Sequence, residues 1–210
     1  MNYQKNSSDM YYFPFRYSKN IEKQILWYIL AIFLFKKRYK KVLDVGCGFA
    51  QNIRFIKFRK YLGIDIDQKR IEKNNMKFKS SKINFEKKDI FEKNNLLDKY
   101  DLIILIQVLT NSLFNKTQVD KALTNILEIS NGRFIFNTSN KNINEIAKID
   151  CLLKEKKIKF KKIYYGIPNL IKKIKIPLIS QVIALIYLLL IFTSSKIMNK
   201  GKIIYICEIN

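Results

Sequence analysis

The sequence predicts a single domain of the α/β class: a doubly wound, mostly parallel sheet of seven strands with helices on both faces. Its 210 residues, 48% of them hydrophobic, suffice for one such sheet with a full core and little more. Buried strand patterns alternate with helical patterns along most of the chain, which is typical of βαβ units. Two of the six glycines lie directly after the first predicted strand, where sheets of this class bind ligands.

The N-terminal residues 1–39 are predicted to form a helical lid. Aromatic residues at 11–15 precede a helical pattern over about residues 21–37. The apolar run of that helix, residues 25–35, is too short to span a bilayer, so we expect it to pack on the domain. Tyr11 and Tyr12 are candidates to cover a bound ligand, and an aromatic anchor for the first helix explains them equally well.

The central part, residues 40–166, is predicted to be the ligand-binding core. Asp67 is a suitable N-cap for a helix that runs through Ile71 and Met76. Residues 100–106 form an apolar run with polar residues on both sides, which indicates a central parallel strand. Strands are predicted at 42–45, 61–64, 82–85, 100–106, 133–137 and 158–165, further helices at 116–129 and 142–156, and a last strand at 202–209 within residues 201–210.

A hydrophobic helical insert is predicted at residues 167–200, before the last strand. Residues 176–195 carry no charge and are numerous enough to cross a bilayer. A single crossing would, however, separate the last strand from its sheet, and lysines flank the segment on both sides, which gives no orientation. Two alternatives remain: a buried lid or dimer helix that closes an apolar acceptor pocket, or a helix in the membrane interface beside anionic lipid.

The formal net charge of +23 allows two explanations. Lys, Ile and Asn are abundant and have AT-rich codons, so codon drift could account for much of the charge. Selection toward an anionic partner, such as a membrane surface or a nucleic acid, is the other explanation. Arg, which nucleic-acid binders favour for forked contacts, is scarce, so nucleic acid is not the expected partner.

The absence of histidine and the wide separation of the three cysteines exclude several kinds of catalytic and metal site. The chain has no histidine, which excludes His-based triads, His general bases and His metal sites, and no metal site is predicted. Cys47, Cys151 and Cys207 are far apart and form neither a CxxC pair nor a disulfide framework. A reducing compartment is therefore expected: the cytoplasm, with attachment to the inner face of the membrane as the alternative left by the insert.

The glycine turn Asp44-Val45-Gly46-Cys47-Gly48 follows the first strand and precedes a predicted helix near residues 49–52. A Cβ at either glycine would block the approach of the backbone to a ligand, and the turn could require a positive φ. The N terminus of the following helix would offer free N–H groups to a polar or anionic ligand group. A tight turn between strand and helix would explain the two glycines equally well.

Three aspartates favour a ligand-binding site over a simple turn, because they lie at or just after the ends of the first three predicted strands. The carboxyl ends of parallel strands meet at the edge where open α/β sheets bind ligands, and Asp44, Asp65 and Asp89 would share it. The carboxylate of Asp65 could accept two hydrogen bonds from a polar ligand. Asp67 competes for that role, and we assign it to helix capping. Asp101 begins its strand, so we expect a structural role at the opposite edge.

Four segments carry a family resemblance. The third glycine of a dinucleotide-binding GxGxxG pattern would fall at Gln51, which departs from that pattern. The segment KVLDVGCGFA instead resembles motif I of the class I S-adenosylmethionine-dependent methyltransferases, with Ala50 in place of the family's usual third glycine. YLGIDID, INFEKKDIFE and KYDLIILIQVLTNSL resemble the segments that follow in the family. The resemblance covers about residues 41–137 and resumes weakly at the last strand.

The resemblance implies a strand order of 3-2-1-4-5-7-6 with the last strand antiparallel, and S-adenosylmethionine as the cofactor. It implies in-line methyl transfer, in which the protein chiefly positions the acceptor. No catalytic base can be named. The implied cofactor-binding residues are Asp44, Gly46, Cys47 and Gly48 in motif I, Asp65 for the ribose, Ile66 packed on the adenine, Asp89 for the adenine amino group, Ile90 lining the ring, and Gln107 near the methionine part.

Absent motifs narrow the acceptor. DNA amino-methylating enzymes carry an Asn/Asp-Pro-Pro-aromatic tetrapeptide after the fourth strand, where this chain reads Gln107-Val108-Leu109-Thr110. No Pro-Cys pair is present for a cytosine C5 mechanism. The expected acceptor is therefore a small molecule, a sugar or a lipid-linked intermediate. A non-catalytic or membrane-associated nucleoside-binding relative and an RNA methyltransferase are the alternatives, and the sequence gives no oligomeric state.

Overall fold

The structure is a computed structural model that describes residues 21–35, 37–92, 98–109, 116–139, 143–166, 177–193 and 202–209. Tyr11 and Tyr12, the candidate ligand cover, lie outside the described residues.

The described elements alternate along the chain as the sequence predicts. The helices are α1 (Ile21–Leu34), a 3₁₀ helix (Gln51–Phe55), α2 (Gln68–Lys77), α3 (Lys116–Ile129), α4 (Ile143–Glu155) and α5 (Pro177–Thr193). The strands are β1 (Arg38–Val45), β2 (Lys57–Asp65), β3 (Ile83–Lys87), β4 (Tyr100–Leu105), β5 (Ser130–Ser139), β6 (Lys159–Tyr164) and β7 (Lys202–Glu208).

The strands form one seven-stranded sheet in the order β3-β2-β1-β4-β5-β7-β6. β7 runs antiparallel to β5 and to β6, whereas β1–β5 pair in parallel. The predicted strand order and the antiparallel last strand are both confirmed. This arrangement brings the ends of β1, β2 and β4 together at one edge, as the site prediction requires.

Hydrophobic cores cover both faces of the sheet. Along β4, Leu102 and Ile104 point into one core and Ile103 and Leu105 into the other, because successive side chains of a strand alternate. The first core contains side chains of α1, the 3₁₀ helix, α2 and α5, and the second contains those of α3 and α4. A strand buried on both faces needs the continuous apolar run that identified β4 in the sequence.

The predicted hydrophobic insert contains α5, which packs against α1 over the first core. Ala184 is fully buried at this contact. Within the described ranges, no helix combines the length and the apolar character that crossing a membrane would require.

One element differs from its prediction. The helix expected after the glycine turn is only the five-residue 3₁₀ helix, which starts at Gln51 after Ala50 with its φ of 54°. Residues 49–56 are all that connect the turn to β2, because β2 begins at Lys57 rather than at residue 61. The chain there is too short for a full α-helix, so the expected α-helical N terminus beside the turn is wrong.

Candidate functional site

The two glycines of the turn have positive φ for different reasons. Gly46 (φ 62°) lies against the residues that follow β4, because a Cβ at this position would be 2.5 Å from Cγ2 of Val108. Gly48 (φ 52°) faces open space, since a Cβ there would meet no atom within 4 Å. Gly46 is therefore required by packing, and Gly48 leaves its backbone accessible to a ligand.

Asp65 ends β2 directly beside the turn. One carboxylate oxygen accepts a hydrogen bond from the Gly48 amide at 2.9 Å, and the other accepts one from the Asp67 amide at 3.0 Å. Nη1 of Arg70 lies 3.9 Å from the first oxygen. Asp65 is 6% exposed. Each carboxylate oxygen can accept a second bond, so this aspartate can hold the turn and still accept from a ligand hydroxyl.

Asp67 performs the capping role assigned to it. Its carboxylate accepts from the amides of Lys69 (3.0 Å) and Arg70 (3.3 Å), and it is the N-cap of α2. Nε of Arg70 also lies 3.1 Å from its second oxygen. The prediction that Asp67 caps the helix is thus confirmed, and the prediction that Asp65 binds the ribose stays a prediction.

Asp44 lies below the surface of the site. It is fully buried, and it accepts hydrogen bonds from the Tyr61 hydroxyl (2.5 Å) and from Nδ2 of Asn52 (3.1 Å). Burial raises the pKa of Asp44 to about 6, against the opposing effect of these two hydrogen bonds. The carboxyl group therefore links β1 to the 3₁₀ helix and to β2, and its predicted contact with a cofactor stays a prediction.

The residues after β2 and β3 differ in accessibility. Ile66 is 69% exposed although its side chain is apolar. Asp89 is half-buried and accepts from the Phe91 amide at 2.9 Å. Ile90 is buried in the second core, and its carbonyl accepts from Nδ2 of Asn125 at 2.6 Å. Ile66 and Asp89 are thus open to a ligand, Ile90 is largely covered, and the roles of all three stay predictions.

Gln107, just beyond the end of β4, has strained backbone with a φ of 63°. Its amide donates to Oδ1 of Asn137 at 2.6 Å, and Nδ2 of Asn137 donates to the Tyr165 hydroxyl at 2.8 Å. Asn137 and Tyr165 are buried, and burial raises the pKa of Tyr165. This buried network fixes the strained backbone, which places the exposed Gln107 side chain at the site.

A cavity of about 270 Å³ lies between the glycine turn, the end of β4 and α1. Four of the predicted site residues line it: Gly46, Cys47, Gly48 and Gln107. Burial raises the pKa of the Cys47 thiol, so this side chain stays neutral. The other lining residues are Lys23, Leu26, Trp27, Phe49, Gln51, Asn52, Arg70 and Ile106.

Sequence reasoning missed several residues of this site. Lys23, Leu26 and Trp27 come from α1, and nothing local in the sequence indicates which side of that helix meets the turn. Asn74 donates to the Gly48 carbonyl at 2.7 Å and is buried. A signal existed for Asn74: it lies three residues after the buried Ile71, so it is a polar side chain on the core-facing side of α2.

Comparisons with known proteins agree with this geometry. A family model described as a methyltransferase domain matches residues 36–176. No curated protein matches the sequence significantly.

Among solved structures, N-methyltransferase NodS from Bradyrhizobium japonicum WM9 with S-adenosyl-L-homocysteine has 15% identity and a TM-score of 0.59, over 89% of this chain and 84% of that one. Magnesium protoporphyrin IX methyltransferase from Synechocystis PCC 6803 with bound SAM has 14% identity and a TM-score of 0.56, over 90% and 78%. The plantazolicin methyltransferase BpumL, solved with a triazolic analog and SAH, has 18% identity and a TM-score of 0.54, over 97% and 89%.

The sheet order and the glycine turn beside Asp65 define a Rossmann-like fold of the class I methyltransferase type. The family match covers most of the chain, and the chain belongs to this methyltransferase domain family. The family predicted from the sequence, the class I S-adenosylmethionine-dependent methyltransferases, is thereby confirmed. The cofactor of this family is S-adenosylmethionine.

Proposed function

We propose that this protein holds S-adenosylmethionine along the edge formed by β1, β2 and β4 and transfers its methyl group to a small-molecule, sugar or lipid-linked acceptor. The observation that carries the proposal is the pairing of Asp65 with Gly48. The carboxylate of Asp65 holds the Gly48 amide at 2.9 Å, and the space in front of Gly48 is open. A turn held by an acidic residue and free of side chains suits the sugar and tail of a nucleoside cofactor.

The adenosine half would be held by residues that follow β2 and β3. Asp65 would accept from the ribose hydroxyls with the lone pairs left by its two backbone hydrogen bonds. Ile66 offers an exposed apolar surface on which an adenine ring can pack, which would remove that surface from water. Asp89 would accept from the adenine amino group.

The methionine half would lie toward the turn and the end of β4. When bound, the cofactor supplies a methyl group made electrophilic by its sulfonium. Lys23 and Arg70 line the cavity and bring positive charge to it, which suits the carboxylate of the methionine part. Gln107, held in place by Asn137, would orient this end of the cofactor.

The acceptor would enter beside α1, which we propose acts as the lid over the site. Leu26 and Trp27 of α1 contribute apolar surface to the cavity, and Trp27 packs on Phe55 with ring centroids 6.5 Å apart. Such walls exclude water and restrict the orientation of an acceptor, and orientation is the main contribution a protein makes to in-line transfer.

Cytoplasmic location stays a prediction from the cysteine pattern.

Titration with S-adenosyl-L-homocysteine tests the proposal. Trp27 is the only tryptophan in the chain and lines the cavity, so its fluorescence should report binding directly. We expect saturable binding, and an increase of the Kd by about tenfold or more in Asp65→Ala, since the charged hydrogen bonds to the ribose are lost. Asp67→Ala removes the helix cap of α2 and the ion pair with Arg70 but keeps the backbone amide that donates to Asp65, so its Kd should change clearly less than in Asp65→Ala while stability falls by about 1 kcal/mol.

Free tryptophan titrated in parallel corrects for light absorbed by the nucleoside. The absence of saturable binding would contradict the proposal, and equal Kd changes in the two variants would remove Asp65 from the ribose role. Transfer of a labelled methyl group from S-adenosylmethionine to a fraction of cell lysate then distinguishes an enzyme from a nucleoside-binding relative.

A further inference from the structure

Helix α5 presents an apolar face to the outside of the molecule. This apolar face consists of Val182, Leu185, Ile186 and Leu189, which are 50%, 46%, 50% and 68% exposed. Their spacing of three and four residues places them on one side of the helix. On the opposite side Ala184 is fully buried. Soluble proteins rarely expose contiguous apolar side chains without a binding partner, so this face needs an occupant.

The sequence on both sides of α5 is basic, and α5 packs against α1. The helix itself contains no charged residue. In the sequence, lysines at 172, 173 and 175 precede it and lysines at 196 and 200 follow it.

Charge distinguishes between the two occupants that an apolar helix face could have. A second copy of this chain would bring a formal charge of +23 against +23, which opposes close contact at physiological salt. An anionic bilayer offers both an apolar interior for the four side chains and negative headgroups for the lysines. The charge pattern therefore favours the bilayer.

We propose that the apolar face of α5 docks on the surface of an anionic phospholipid bilayer, with the helix in the plane of the interface. The 17 residues of α5 span only about 26 Å, less than the hydrocarbon core, which is consistent with a helix that lies on a membrane. One side of α5 stays packed on α1 while the other enters the headgroup region. The inference does not rest on the proposed methyl transfer, because lipid binding and cofactor binding are measured separately.

Vesicle co-sedimentation of the full chain tests this inference. We expect binding to phosphatidylcholine vesicles that contain about one third phosphatidylglycerol, and at least about tenfold weaker binding to pure phosphatidylcholine or in about 0.5 M NaCl. The double variant Leu185→Gln/Ile186→Gln should lose about tenfold or more of the binding to anionic vesicles, since two buried aliphatic contacts are lost. Met76→Gln is the matched control, because Met76 is an apolar side chain that is 66% exposed on a different helix, α2, which packs against β2 and β3.

A second measurement does not depend on the stability of the double variant. Cys47 and Cys207 are buried and Cys151 is exposed, so Cys151→Ser leaves no exposed thiol among the described residues. In that background, an environment-sensitive fluorophore on Ile186→Cys should shift to the blue with anionic vesicles, whereas the same label on Met76→Cys should not. No vesicle binding, an equal response of both labels, or a stable dimer in solution that the double variant dissociates would each overturn the inference.

Discussion

At the scale of single residues, burial separates aspartates that look equivalent in the sequence. Asp44 is the second-last residue of β1 and Asp65 the last residue of β2, at the same edge of the sheet, but Asp44 is enclosed by Tyr61 and Asn52, whereas Asp65 is bound to the turn. The capping role of Asp67 could be predicted because it depends on residues within one helical turn. The partners of Asp44 could not, because the sheet and the 3₁₀ helix bring them from distant positions.

The buried carboxyl group of Asp44 gives the protein a specific pH dependence. Its pKa is raised from 3.8 to about 6, so between these pH values the folded state binds a proton that the unfolded state has released. The contribution of Asp44 to the free energy of unfolding is therefore present at about pH 4 and is lost as the pH rises to 7. Relative to Asp44→Asn, we expect the wild-type protein to lose about 2–3 kcal/mol over this range in urea unfolding.

Tyr61→Phe is the informative control for this measurement. The Tyr61 hydroxyl donates to the carboxylate and lowers the pKa of Asp44, so its removal should extend the loss of stability to higher pH. Parallel pH profiles for wild type and Asp44→Asn would show that the group does not titrate in this range.

At the scale of elements, the sequence predicted the kinds of element better than their ends. The apolar run of β4 and the capped start of α2 are local signals, and both elements occur where expected. A helix was predicted near residues 49–52, directly after the glycine turn. The structure has only the 3₁₀ helix, since β2 extends back to Lys57 to pair with the early part of β1.

Replacing Gly46 or Gly48 of the turn by alanine should destabilise the protein to different extents. Ala at a positive φ costs about 1 kcal/mol, which is all we expect for the stability of Gly48→Ala because its Cβ meets open space. Gly46→Ala should cost about 2–4 kcal/mol, since its Cβ would also lie 2.5 Å from Cγ2 of Val108. Chemical denaturation of both variants measures the difference.

Two further measurements make this comparison specific. In a Val108→Ala background, the additional cost of Gly46→Ala should largely disappear, because the clashing atom is gone. Gly48→Ala should instead weaken binding of S-adenosyl-L-homocysteine by about tenfold or more, since its methyl group enters the space left for the ligand. Equal stability losses at the two glycines, with no change in affinity at Gly48, would refute this division of roles.

At the scale of the whole molecule, the alternation of elements and the family resemblance together predicted the sheet and the edge at which ligands bind. The placement of α1 could not be predicted, because its side chains are apolar on most of its surface and most of them are buried. The long hydrophobic insert was identified from the sequence, but its position in the fold could not be predicted. In the structure α5 is packed on α1, and the described part of α5 contributes no residue to the cavity.

The whole fold serves to bring the turn after β1 and the end of β4 to one cavity, with the carboxylate at the end of β2 bound to that turn. A crystal structure of the complex with S-adenosyl-L-homocysteine tests this claim most directly. We expect the ribose hydroxyls within hydrogen-bond distance of the Asp65 carboxylate, the adenine against Ile66, and the amino-acid tail beside Gly46 and Gly48. A nucleoside bound elsewhere on the protein, or no bound nucleoside at saturating concentration, would contradict it.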